Sequence, residues 1–100
     1  MKTAVREFPY EKVILLNTIY DVLERLDFLL EQADSRAGVL RFAQGSRVGE
    51  MDLTAVLKDG AEVTRLNIRG PGEEVPAILF DEIAAALYRT FESKPRRMTQ

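Results

Sequence analysis

The residue types that most often perform catalysis at neutral pH are scarce in this chain. Its 100 residues include no histidine and no cysteine. Their absence removes the commonest general base, the commonest metal ligand and the thiol nucleophile. A serine nucleophile would then need a lysine base. Ser35 and Ser46 fall in predicted turns, and Ser93 follows the last predicted helix. We therefore expect these serines to be structural.

Two acidic doublets are the remaining candidates for acid–base or metal chemistry. Glu73-Glu74 precedes a predicted helix, where carboxylates interact favourably with the helix dipole, and Asp81-Glu82 lies on the solvent side of that helix. A catalytic carboxylate would need a cleft and a shifted pKa, and a calcium loop would need spaced oxygen ligands. The sequence shows neither pattern. We predict that the chain is not an enzyme and holds no metal and no cofactor.

Phosphate, nucleic-acid and membrane binding are not indicated either. The stretch Gly70-Pro71-Gly72 precedes a helix but lacks the glycine spacing of a dinucleotide-binding turn. Fourteen basic and sixteen acidic residues leave a net charge of −2, which predicts no basic face for nucleic acid. No apolar run is long enough to span a membrane, and the first residues lack the apolar core of a signal peptide. The expected location is the cytoplasm.

The strongest structural signal is the dipeptide Asp59-Gly60, which lies between two runs of alternating polar and apolar residues. Asp-Gly suits a two-residue type I′ turn, because both central residues of that turn need a positive φ. Counting outward from the turn sets Leu53 opposite Leu66 and places charged residues on the other face. The apolar face of this hairpin then carries Met51, Leu53, Ala55, Leu57, Leu66 and Ile68.

Changes in the hydrophobic period predict the elements before this hairpin. Residues 3–8 alternate and predict a strand, and a helical period begins at about Tyr10. Leu29 and Leu30 would extend the apolar stripe of that helix as far as Gln32, which is one possible end. We end the helix near Asp27 instead, because the residues that follow fit a second hairpin.

This second hairpin is predicted from the loop between Asp34 and Gly38, two residue types that favour turns. With a five-residue loop, one face of the hairpin collects apolar side chains and the other an ion pair. The predicted pairs are Ala33 with Val39, Gln32 with Leu40, Glu31 with Arg41, and Leu30 with Phe42.

The whole chain therefore predicts an α+β fold in the order β-α-β-β-β-β-α, as one domain over residues 1–100. A fourth strand covers about residues 47–58, and Pro76 suits the first turn of the second helix. Both amphipathic helices need an apolar surface, so we expect them to pack on one face of a curved antiparallel sheet. Ordered structure is expected over residues 3–93, followed by a frayed tail over residues 94–100.

A motif in the first half of the chain resembles one seen in small bacterial α+β domains. A strand that ends in Phe-Pro leads into a helix, followed by an L-x-x-L-(G)-F strand entry and then D-x-x-x-G-x-L. Asp27 stands where that pattern usually has glycine. The predicted architecture also resembles helix-grip and TBP-like domains, and this resemblance implies structural positions only. The matching residues are Phe8, Pro9, Leu23, Leu26, Phe28, Asp34, Gly38 and Leu40.

Two surfaces remain as candidates for function. The first is the sheet face without helices, where a protein partner or a second copy of the chain could bind. Its candidate interface residues are Val39, Arg41, Val56, Val63 and Arg65. The second is a cavity between helices and sheet that would carry a small apolar ligand, although so short a chain needs these side chains for its core. The candidate lining or core residues are Leu16, Ile19, Leu23, Leu53, Leu66, Phe80, Leu87 and Phe91. We favour the interface.

Overall fold

The computed structural model describes residues 3–92 and contains five strands and two helices in the predicted order. The predicted frayed tail lies outside the described residues. The last helix continues as a π-helical turn over Tyr88–Glu92. The elements are β1 (Thr3–Phe8), α1 (Lys12–Arg25), β2 (Leu29–Asp34), β3 (Val39–Gln44), β4 (Arg47–Lys58), β5 (Ala61–Arg69) and α2 (Glu74–Leu87).

The five strands form one open antiparallel sheet in the order β1-β5-β4-β3-β2. Its centre is the β4–β5 hairpin, and the predicted register of this hairpin is confirmed, with Leu53 opposite Leu66. Asp59 and Gly60 have φ values of 51° and 80°, as a type I′ turn requires. The α+β fold class and the element order are therefore confirmed.

The β2–β3 hairpin differs from the predicted register near its loop. Asp34 pairs with Val39, so only four residues form the loop, and each predicted pair next to it is shifted by one. The Asp34 carboxylate accepts a hydrogen bond from the amide of Ala37, and its carbonyl accepts one from Gly38, which closes the tighter loop. A bulge between Leu30 and Gln32 absorbs the extra residue, and the predicted Leu30–Phe42 pair is confirmed.

Helix α1 is shorter than predicted at its start and ends where predicted. It begins at Lys12 rather than at Tyr10, so Pro9 lies before the helix. After its last residue, Asp27 adopts a φ of 63° and its amide bonds to the carbonyl of Glu24, while the Phe28 amide bonds to that of Leu23. These two bonds form a Schellman motif, which terminates the helix. A helix that continues to Gln32 is therefore wrong.

The core lies between the helices and one face of the sheet. The single fully buried polar side chain among the described residues is Thr64, whose hydroxyl donates to the carbonyl of Tyr10 and so ties β5 to the start of α1. Of the eight predicted core positions, Phe91 is the exception, because it is 44% exposed. Its ring instead lies 5.3 Å from that of Tyr10. The other seven belong to the buried cluster: Leu16, Ile19, Leu23, Leu53, Leu66, Phe80 and Leu87.

Candidate functional site

The candidate functional site is the face of the sheet that the core does not cover. Because side chains alternate along a strand, the residues between the buried positions of β4 and β5 all point to this face. Charged side chains occupy its centre, and valines lie at its margins. The charged residues are Glu7, Glu31, Arg41, Glu50, Asp52, Lys58, Arg65 and Arg69.

Glu7 on β1 is the centre of the first ion-pair group. It lies directly opposite Arg65 on β5, and both the Nε and the Nη2 of Arg65 donate to its Oε2, at 3.1 and 2.9 Å. Lys58, at the end of β4, reaches the other carboxylate oxygen at 2.6 Å. One carboxylate therefore joins three strands of the sheet.

A second group of paired charges crosses the other end of the face. Arg69 donates to Glu50 directly opposite it and lies 3.7 Å from Asp52, which accepts a 2.7 Å hydrogen bond from Asn67. Beyond β4, Arg41 lies opposite Glu50 and forms an ion pair of 3.5 Å with Glu31 at the bulge of β2. Across both groups, four cations are matched by four carboxylates, so the face carries no large field of one sign.

These ion pairs lower the pKa values of two carboxyl groups. Hydrogen bonds from Lys58 and Arg65 lower the pKa of Glu7 below its ordinary value of 4.5. The hydrogen bond from Arg69 likewise lowers the pKa of Glu50. A lowered pKa in the folded state means that the unfolded chain binds protons more readily, so these groups stabilise the fold above about pH 4.5.

We therefore expect this stabilisation to be lost as the pH falls from about 4.5 through the lower pKa values of the folded state. The variant Glu7→Gln/Glu50→Gln should show a shallower fall in the free energy of unfolding than the wild type. Glu62→Gln is the control, because Glu62 is an exposed glutamate on the other face of the β4–β5 hairpin, which also carries Glu50. Urea titrations from pH 6 to pH 3 measure the slope. An unchanged slope in the double variant would contradict this account.

All five predicted interface residues lie on this face. Val56 and Val63 form a cross-strand pair beside the turn, and Arg65 is next to them, opposite Thr54. Val39 lies opposite Asp52 on the far side of the sheet's centre and is 45% exposed. Paired charges separate the two apolar areas, so the face is a mixed surface rather than one apolar patch. The remaining interface residue is Arg41.

Glu7, Val5 and Lys58 are members of the face that were not predicted. Glu7 and Val5 lie on β1, whose pairing with β5 joins residues about sixty positions apart. The alternation over residues 3–8 already places Val5 and Glu7 on one side of that strand, so the sequence could have predicted that these two residues share a face. Lys58 follows from the hairpin register, but its pairing with Glu7 requires the β1–β5 contact.

The predicted ligand-lining residues leave little room for a guest. Leu16, Ile19 and Leu66, like the other four buried members of that set, are at most 5% exposed and belong to one continuous cluster. Two open clefts lie instead at the edges of the sheet. A cleft of about 540 Å³ separates α1 from β2, and one of about 430 Å³ separates β1 from α2.

Neither the described chemistry nor a comparison with known proteins points to a specific reaction. Over residues 3–92, no three acidic side chains come close enough to hold a metal ion. None of the helices in this range is long and apolar enough to cross a membrane. No protein-family model matches the chain, and no curated protein matches it. The resemblance to helix-grip and TBP-like domains therefore stays a prediction.

Proposed function

We propose that this chain is a small non-catalytic module that binds a protein partner through the uncovered face of its sheet. The observation that carries this proposal is the arrangement of that face. Charged side chains are held in cross-strand ion pairs, and the valine pair Val56–Val63 lies directly beside Arg65. A polar surface with interspersed apolar residues has the composition of a non-obligate protein interface.

The ion pairs also favour binding by limiting side-chain motion in advance. A long arginine or glutamate side chain that becomes ordered on binding loses rotamer entropy, which weakens association. Arg65 contacts Glu7 through two nitrogens, and Arg69 contacts two carboxylates, so these side chains are already restricted in the free chain. A partner would then meet a largely preformed surface.

The same ion pairs make a different protein a better partner for this face than a second copy of it. Two identical faces packed together would bury both sets of ion pairs, and removing paired charges from water often costs more than their attraction returns. A partner that contacts Val56 and Val63 and leaves most of the ion pairs hydrated avoids that cost. We infer a polar, partly hydrated contact with another protein.

The competing function, a carrier of a small apolar ligand, would require the core to open. Leu23 and Leu53 would have to separate from the buried cluster, since they are 1% and 3% exposed. Native mass spectrometry of the purified chain tests this directly, because a carrier should retain a bound lipid-like mass. We expect only the mass of the polypeptide.

The interface proposal predicts a large effect of Val63→Lys on partner binding. Val63 is half-buried on the open face, and a lysine there adds a strongly hydrated charge in the middle of the proposed contact. Leu57→Lys is the matched control, because Leu57 is 76% exposed near the same turn but points to the other face. The experiment compares the proteins captured by wild type and both variants in extracts of the source cells.

The expected result is at least one captured protein that is lost with Val63→Lys and retained with Leu57→Lys. Leu57→Lys should keep the wild-type free energy of unfolding within about 0.5 kcal/mol, because substitutions of exposed residues rarely change it more, whereas Val63→Lys, at a half-buried position, should lower it by about 1 kcal/mol. Capture that survives Val63→Lys, or that is lost equally with Leu57→Lys, would contradict binding through the open face.

A further inference from the structure

The two edges of the sheet differ in how well they are protected against pairing with another strand. An edge strand leaves half of its backbone amide and carbonyl groups unpaired, and proteins usually protect such edges with bulges, charges or proline. Edge strand β2 has two of these features, a bulge between Leu30 and Gln32 and the acidic residues Glu31 and Asp34. Two copies of β2 placed side by side would bring like charges together.

Edge strand β1 has only one of these features, the charges of Arg6 and Glu7, and these two are of opposite sign. It pairs with β5 over all six of its residues without a register shift, and it contains neither proline nor a bulge. In the middle of this strand, Val5 points to the open face and is 54% exposed. A regular edge with an exposed β-branched residue is a favourable template for another strand.

We propose that two copies of this chain associate through antiparallel pairing of their β1 strands about a two-fold axis. The pairing would extend the sheet from five strands to ten, with the helices of both copies on one side. This inference does not depend on partner binding through the open face. The pairing would leave the open faces of both copies accessible, on one side of the extended sheet.

The sequence of β1 selects one register for this pairing. A two-fold axis perpendicular to the sheet always pairs one residue with its own copy. If that residue were Arg6, two guanidinium groups would lie opposite each other, which destabilises a strand pair. An axis at Val5 instead pairs Val5 with Val5, Ala4 with Arg6 and Thr3 with Glu7. That register aligns residues 3–7 of both copies and sets no like charges opposite each other.

The cleft beside β1 supports a second copy as the occupant. It has a volume of about 430 Å³ and lies between β1 and α2, with Pro76, Ala77 and Phe80 among its lining residues. Arg6 and Asp81 lie at this cleft 3.8 Å apart, and their side chains are 44% and 78% exposed. Glu73 also lines the cleft, so this edge presents charges of both signs to a two-fold copy.

The test combines oligomeric state with a single charged substitution at the axis. We expect wild-type chain to sediment as a dimer in a concentration series that reaches about 1 mM, and Val5→Lys to sediment as a monomer. In the variant, two ammonium groups lie directly opposite each other at the axis. Val39→Lys is the matched control, because Val39 is 45% exposed in the same cross-strand row of the open face but lies away from the edge.

Cysteine cross-linking tests the same register without changing charge. The natural chain has no cysteine, so each variant contains a single thiol. Residues opposite each other at a two-fold axis of paired strands are close enough for a disulfide, with Cα atoms within about 7 Å. Val5→Cys should form a covalent dimer under mild oxidation, and Val39→Cys should remain a monomer on a denaturing gel.

The outcomes separate this inference from the proposed function. A dimer that Val5→Lys dissociates and Val39→Lys preserves supports β1 pairing. A monomeric wild type over the whole concentration range, or a dimer that dissociates with Val39→Lys and not with Val5→Lys, overturns it. The second result would place the self-contact on the open face instead. Failure of Val5→Cys to cross-link while the wild type is a dimer would also exclude this register.

Discussion

Replacing Phe42 with alanine should destabilise the fold by about 3–5 kcal/mol, the usual cost of truncating a buried aromatic residue. Phe42 is fully buried on β3 and meets the ring of Phe28 edge-on at 5.4 Å. Its ring also lies over Gly49 on β4, where a Cβ would come within 2.6 Å of it. The truncation would therefore leave a cavity that no neighbouring Cβ fills. Small domains are stable by only about 5–15 kcal/mol, so this loss is a large fraction of the total.

Phe91→Ala is the matched control for this prediction. The same truncation at a ring that is 44% exposed removes mainly the contact with Tyr10, and we expect a loss of about 1 kcal/mol. Urea unfolding monitored by circular dichroism measures both variants, with an unchanged m-value as the check on two-state unfolding. Equal losses for the two variants would contradict the assignment of Phe42 to the core and Phe91 to its margin.

Gly38→Ala should lower the free energy of unfolding by about 2–5 kcal/mol. Two effects contribute, and a control variant separates them. Gly38 has a φ of 74°, which a residue with a Cβ adopts at a cost of about 1–2 kcal/mol. A Cβ at this position would also lie 2.7 Å from the backbone carbonyl oxygen of Leu53. That oxygen belongs to the central strand and cannot move without disturbing the sheet, so overpacking should add about 1–3 kcal/mol.

Gly45→Ala isolates the first of these effects. Gly45 has a similar φ of 64°, and nothing lies within 4 Å of the Cβ that alanine would add. We expect this variant to lower the free energy of unfolding by only about 1–2 kcal/mol, the cost of a positive φ in a residue with a Cβ. Thermal or urea unfolding of both variants gives the comparison. If Gly38→Ala is no worse than Gly45→Ala, the loop does not pack against Leu53 as described.

The β4–β5 hairpin could be predicted in full because its register depends on local information. Asp59-Gly60 specifies a two-residue turn, and each pair outward from it follows by counting. The β2–β3 hairpin shows where this reasoning stops. Its loop also carries an Asp and a Gly, but the sequence does not show that Asp34 belongs to the strand or that a bulge follows Leu30. Only the hydrogen bonds of the folded loop decide between four and five loop residues.

The candidate site was predicted in part for the same reason. The residues on β3, β4 and β5 follow from hairpin registers, so Val56, Val63 and Arg65 were placed on the open face correctly. Glu7 joins them only through β1–β5 pairing, which connects the first strand to the last. Tertiary packing likewise decides that Phe91 stacks on Tyr10 instead of entering the core. Local patterns carry no information about such distant contacts.

Site-specific photo-crosslinking tests the central claim, that the uncovered sheet face binds a protein, most directly. A photoreactive phenylalanine derivative is introduced at Val63 on that face or at Leu57 on the other face of the same hairpin. Both variants are irradiated in the source cells. We predict a discrete cross-linked protein from position 63 and none from position 57. Cross-links from position 57 alone, or identical products from both positions, would contradict the claim.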